Sequence, residues 1–179
     1  MPRLVAFLRA INVGGHTVRM AELVREVSAL GAGAVETFLA SGNVVFRWPA
    51  RSARGLEARI ESRLRAALGY EVATFVRTDA EVAEIAACAP FGRALAGQLA
   101  TLNVGFLKAE LSAAQRDRLL ALESELDRFA VRGREVYWGC RVRQSESKFS
   151  NVVFERRVGV STTFRGLNTL VRLAAKLAG

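Results

Sequence analysis

Histidine and cysteine are almost missing from this chain. With His16 as the single histidine among 179 residues, no Ser-His-Asp set can be nominated. The same scarcity, with no cysteine cluster to help, argues against a zinc site, and no metal or cofactor is implied. The two cysteines, Cys88 and Cys140, form no Cys-x-x-Cys pair. They read as reduced, buried thiols of a cytoplasmic protein. No apolar run approaches the ~20 residues that span a bilayer, so no membrane partner is expected. The opening residues, MPRLVAF, show no apolar core followed by a small-residue cleavage site, so no signal peptide is expected. Lysine is scarce too, supplying only 3 of the 26 basic residues.

What is present is an ordinary globular balance, 51% hydrophobic and 24% charged. A chain of 179 residues makes one large or two small domains. At that size it buries roughly 70% of its unfolded surface without a disulfide or metal staple. The net charge of +9 is unevenly placed. Residues 1–90 carry 11 basic and 9 acidic side chains, a net of +2, and residues 91–179 carry 15 and 8, a net of +7. A basic half of this kind attracts polyanions or anionic ligands. Arginine and alanine richness is also what a GC-rich genome encodes, and both readings stand at this point.

Residues 4–13 are an apolar run broken by Arg9 and Asn12, which suits a covered strand. After Gly14 and Gly15, Met20, Leu23, Val24, Val27 and Leu30 recur at helical spacing. Two β-rich runs, residues 35–40 and 44–48, flank the turn residues Ser41, Gly42 and Asn43, a hairpin signal. Leu56, Ile60, Leu64 and Leu68 mark a second helix, and residues 72–77 a fourth strand. The order β-α-β-β-α-β is that of a split-βαβ, ferredoxin-like unit. In its usual strand order, 4-1-3-2, the Gly14–Gly15 loop and the Ser41–Asn43 turn share one sheet edge, bringing Asn43 near Asn12.

A linking segment follows, with a short helix from Asp79 closed near Pro90. A strand over residues 102–108 follows, then a helix with Ser112 and Gln115 spaced as a capping box. A hairpin turning at Gly133 comes next, then a helix capped by Ser147 and a last helix carrying Leu167, Leu170, Val171, Ala174 and Leu177. The expected fold is α+β: a ferredoxin-like unit over 1–78, a linking helix and loop over 79–100, and a second β-α-β-β-α unit over 101–179 with an extra C-terminal helix.

Six stretches, LRAINVGG (8–15), MAEL (20–23), SGNVVF (41–46), VRT (76–78), Pro90 with Phe91, and TFRGLNT (163–169), resemble the bacterial family catalogued as domain of unknown function 1697. The resemblance implies an α+β fold with a ferredoxin-like unit and carries no activity. The chain departs from the family at Ala10, usually glycine, and in its tail, where Gly166 and Leu167 stand for the usual Asn and Trp. If that Asn or Trp contacts a ligand in relatives, the contact is changed here.

The residues singled out for binding are Arg9, Asn12, Gly14, Gly15, Ser41, Asn43, Arg77, Thr163, Arg165, Asn168 and Thr169. A Gly-Gly loop between strand and helix cradles an anion on its N–H groups, or serves as a tight turn. Arg9 is a charge in an apolar strand, on a solvated face or against a ligand. Arg77 lies on the far edge, where capping or an interface competes with binding. Thr163, Arg165, Asn168 and Thr169 read as a polar cluster opening the last helix, an anion seat or an ordinary cap. Ser147 with Lys148 lacks the Ser-x-x-Lys spacing of a nucleophile pair, and Ser147 is read as an N-cap. The expectation is a binding protein for an anionic ligand, nucleic acid or a phosphorylated compound. The rival is an enzyme for a small phosphorylated or carboxylated metabolite, its cleft lined by Arg9, Asn12, Ser41, Asn43, Arg165 and Asn168 between the two units. Neither oligomeric state nor process is legible.

Overall fold

β1 (Arg3–Leu8) is the strand around which the first sheet is laid in the computed structural model of this chain, which describes residues 1–9, 15, 17–39 and 42–179. Strand β1 is apolar from Leu4 to Leu8 and buried on both faces. Its neighbours are β3 (Asn43–Arg47) and β4 (Thr74–Thr78), both antiparallel, and β2 (Gly33–Thr37) pairs with β3 outside. The order β2-β3-β1-β4 is the one expected of a split-βαβ unit. Helices α1 (Met20–Ser28) and α2 (Leu56–Leu68) lay Leu23, Val27, Ile60 and Leu64 against Leu4, Ala6 and Leu8. Each such side chain, fully buried, stabilises by about 1.5–3 kcal/mol relative to exposure.

A carboxylate ties the two helices together. Glu26 on α1, 4% exposed, accepts from Arg63 Nε on α2 at 2.6 Å and from Arg25 Nε at 3.0 Å. Those hydrogen bonds, Arg63 first, hold its pKa below the usual carboxylate value. The outer edge of β4 is also closed by carboxylates. Thr74 N–H donates to Glu61 Oε1 at 2.9 Å, Val76 N–H to Glu57 Oε1 at 2.8 Å, and Thr78 N–H to Glu81 Oε2 at 2.8 Å. Glu57 and Glu61 are one helical turn apart on α2, matching alternate residues of the strand. A bare strand edge pairs with other chains; this one is blocked by charge.

After α3 (Asp79–Ala87) and a short α4 (Arg93–Ala96), the same order recurs. It runs β5 (Thr101–Phe106), α5 (Ala113–Leu120), β6 (Asp127–Arg132), β7 (Glu135–Cys140), α6 (Asn151–Val158) and β8 (Thr163–Gly166), in a sheet ordered β6-β7-β5-β8. Two of the expectations for this half need correction. Thr163 and Arg165 form the fourth strand, so the second unit is a complete β-α-β-β-α-β, and only then does α7 (Leu167–Ala178) begin. Ser150, not Ser147, caps α6 by accepting from Val153 N–H. The capping box of Ser112 and Gln115 on α5 is present.

The core of the second unit is aromatic. Trp138, Phe149 and Phe164 meet edge to face, with centroids 4.8 and 5.9 Å from the Trp138 ring. Gly105 makes room for this: a Cβ there would lie 2.7 Å from Phe164 Cε1. Asp127, 5% exposed, accepts from Trp138 Nε1 at 2.7 Å and from Ser147 Oγ at 2.8 Å.

By contacts the chain divides into unit 1, Met1–Ala83 with Leu173–Gly179, and unit 2, Glu84–Arg172. The boundaries read from the sequence, after 78 and at 101, differ from these. The last turns of α7 count with unit 1, where Arg3 Nη1 donates to Leu177 O at 2.9 Å and Lys176 pairs with Glu36. Among the described residues no helix is long and apolar enough to cross a membrane.

Candidate functional site

In unit 1, two of the singled-out residues, Asn43 and Arg77, bond to the backbone through their side chains. Asn43 is fully buried and donates Nδ2 to Phe38 O at 2.9 Å, while Phe38 N–H donates to Asn43 O at 2.9 Å. That pair closes the hairpin, with Gly42 in the left-handed region at φ +77°. Arg9 is half-buried, and its N–H donates to Ala73 O at 2.9 Å. Gly15 is exposed at φ +83°. Arg77 is 1% exposed on β4, its Nη1 donating to Val76 O at 2.9 Å. Asn12, Gly14 and Ser41, with His16 and Ala10, lie outside the described residues.

In unit 2, Arg165 on β8 is 8% exposed and donates Nη1 to Thr163 Oγ1 at 2.7 Å and to Phe164 O at 2.9 Å. Burial lowers its pKa to about 10, so it remains a cation at neutral pH. Asn168 and Thr169 lie on the first turn of α7, Asn168 exposed and Thr169 half-buried.

Asn168 is the one of these residues that borders a cleft, of about 450 Å³. The cleft follows from strand length. The ladder between β5 and β8 stops at the pair Asn103 and Gly166, while β5 continues back through Leu102 to Thr101. The uncovered start of β5 forms one wall, and the first residues of α7, Leu167 and Asn168, form another. The opposite side is apolar, from Pro90, Phe91 and Leu99. Gly139 on β7 lets that side close in, since a Cβ there would lie 2.6 Å from Leu99 Cδ1 and 3.0 Å from Phe91 Cε2. Cys88 lines the cleft beside Tyr137. Burial first, then its hydrogen bond with Cys88, hold the Tyr137 hydroxyl protonated well above its usual range. Both thiols are free; Cys140 is buried, and Cys88, read as buried, is half-buried.

Two polar atoms of this cleft lack partners. Asn103, 6% exposed, has no hydrogen-bond partner for Nδ2 among the described residues, nor does Thr101 for Oγ1. A buried donor left unsatisfied costs about 1–3 kcal/mol. By contrast, a cavity of about 480 Å³ beside Asp127 borders a carboxylate already engaged by Trp138 and Ser147. The first cleft is bordered by the start of α7, while the unpaired Asn103 Nδ2 and Thr101 Oγ1 are inaccessible, on the sheet face shared with Trp138 and Cys140. Neither Asn103 nor Thr101 was among the residues singled out. The available signal was an amide inside LNVGFL, a run otherwise fit for burial.

No curated protein matches the sequence. The solved structure of the conserved bacterial protein SP0830 from Streptococcus pneumoniae is 24% identical, covers 100% of this chain and 99% of its own, and superposes with a TM-score of 0.76. That likeness shows a shared fold. The model of the family described as protein of unknown function (DUF1697) matches residues 1–137, ending ahead of β8 and α7. With more than half of its length matched, the chain belongs to that family.

Proposed function

We propose that the protein binds a small anionic ligand, phosphorylated or carboxylated, in the cleft of unit 2. The observation that carries this reading is the cleft at the start of α7, lined by Leu167 and Asn168. A helix dipole favours negative charge at that end. A volume of about 450 Å³ is in the range of small-molecule sites. The net charge of +7 over residues 91–179 favours the approach of anions. Nucleic acid is the less favoured anion, although single-stranded RNA binders also use a ferredoxin-like frame. The cleft is concave, where a small ligand fits better than a polymer.

A thermal-shift panel of phosphorylated and carboxylated metabolites, with single-stranded RNA alongside, tests the reading. A ligand at a hundredfold excess over its Kd should raise Tm by about 5–10 °C. Stabilisation by RNA alone, falling steeply with salt, would replace the small ligand with a polyanion. No shift with any anion would remove the reading.

A further inference from the structure

We propose that unit 1 carries an anion surface of its own, separate from the cleft: an arginine patch on the segment joining β3 to α2 that holds the phosphate backbone of a nucleic acid without reading its sequence. Residues 47–59, RWPARSARGLEAR, carry four arginines and one glutamate. The modest net charge of +2 over residues 1–90 hides this patch, because acids of the unit are engaged elsewhere. Glu57, Glu61 and Glu81 accept from the β4 backbone, and Glu22 and Glu26 pair with Arg25 and Arg63. Arg47, Arg51, Arg54 and Arg59 are exposed. Among the described residues the side chains of Arg47, Arg51 and Arg54 make no ion pair or hydrogen bond, so the fold does not use them. Strand register adds a fifth cation. Arg3 on β1 is the direct cross-strand partner of Arg47, a like-charge pairing that costs stability. On the other flank of β1, Asp79 follows Thr78, the partner of Leu4, and its Oδ1 accepts from Ala80 N–H at 2.9 Å.

The segment is held in place. Trp48 is 4% exposed, lies edge-on to Phe46 and donates its N–H to Pro2 O at 3.1 Å. Arg54 N–H donates to Ser52 Oγ at 3.1 Å, Leu56 N–H to Ala53 O at 3.0 Å, and the Arg59 guanidinium sits 5.1 Å over the Trp48 ring. Arginines on a fixed segment lose less freedom on binding, and a guanidinium fork meets phosphate oxygens bidentately. With Trp48 buried, the segment offers no ring for base stacking, so the contact is to the backbone. No large apolar side chain is exposed between Arg47 and Arg59 to enter a bilayer, which favours nucleic acid over an anionic membrane.

The test is fluorescence anisotropy of a labelled DNA duplex of mixed sequence, titrated with the full chain across salt concentrations, with phosphatidylserine vesicles in parallel. Log K should fall linearly with log salt, by about 0.9 per phosphate contacted. The triple variant Arg47→Gln, Arg51→Gln, Arg54→Gln should reduce that slope by about 2–3 and weaken binding about 10-fold or more at low salt, with an unchanged melting curve. A control triple in unit 2, Arg116→Gln, Arg141→Gln, Arg156→Gln, removes the same charge from exposed positions and should change the slope by less than about 1. Equal losses from the two triples would assign binding to net charge and overturn the patch. A slope that the first triple leaves unchanged, or no binding at low salt, would overturn it too. Vesicles bound in preference to the duplex would overturn the assignment to nucleic acid.

Discussion

The two units share one chain order and one strand order, yet they treat their polar groups differently. In each, the fourth strand carries a buried arginine, Arg77 and Arg165, whose Nη1 turns back to the carbonyl of the preceding residue at 2.9 Å. In unit 1 the exposed side of that strand is closed by Glu57, Glu61 and Glu81, and the buried Asn43 amide is bonded to Phe38 O. In unit 2 the fourth strand is short, the first strand runs past it, and the buried Asn103 amide finds no partner among the described residues. The lesson is that a shared strand order does not fix how buried polar groups are satisfied.

The largest expected effect lies at the closed edge of unit 1. Replacing Glu57 and Glu61 together with Ala removes two charge-assisted hydrogen bonds to the β4 backbone. The loss should be about 2–4 kcal/mol in urea unfolding, with self-association appearing in sedimentation as the edge opens. A variant as stable as the native chain, with the same sedimentation behaviour, would show that the carboxylates do not guard the strand.

Glu26 sharpens the contrast through pH. Its pKa is lowered in the folded state, by Arg63 first and Arg25 second. A depressed carboxylate pKa contributes stability that is present above the unfolded value near 4.5 and is lost as pH falls through the folded value. Glu26→Gln should therefore be less stable than the native chain at pH 7. The gap should narrow on acidification, as thermal melts from pH 7 down to pH 3 would record. A gap independent of pH would assign the effect to packing.

Much of the frame was legible from side-chain spacing. Met20, Leu23 and Val27, and Leu56, Ile60 and Leu64, recur at helical intervals and form α1 and α2. The strand over Thr163–Gly166 was not legible. It has four residues, one of them a large apolar side chain, and it abuts an amphipathic helix whose pattern absorbs it. Ser147 and Ser150 both stand ahead of the same apolar stretch; the Asp127 carboxylate, 20 residues away in sequence, draws Ser147 out of the capping role. The cleft was the least legible feature. It arises from β8 ending before β5 does and from Gly139 admitting Leu99 and Phe91, and neither leaves a local motif. Of the residues singled out, Asn168 alone among those described borders it.

The most direct measurement is a pair of near-isosteric substitutions, Asn43→Leu and Asn103→Leu, compared by urea unfolding. Asn43 is bonded, so its loss should cost about 1–3 kcal/mol. Asn103 Nδ2 is buried without a partner, so leucine there should leave stability unchanged or raise it by about 1 kcal/mol. An Asn103→Leu protein destabilised as much as Asn43→Leu would contradict the account, because the amide would then be serving the fold.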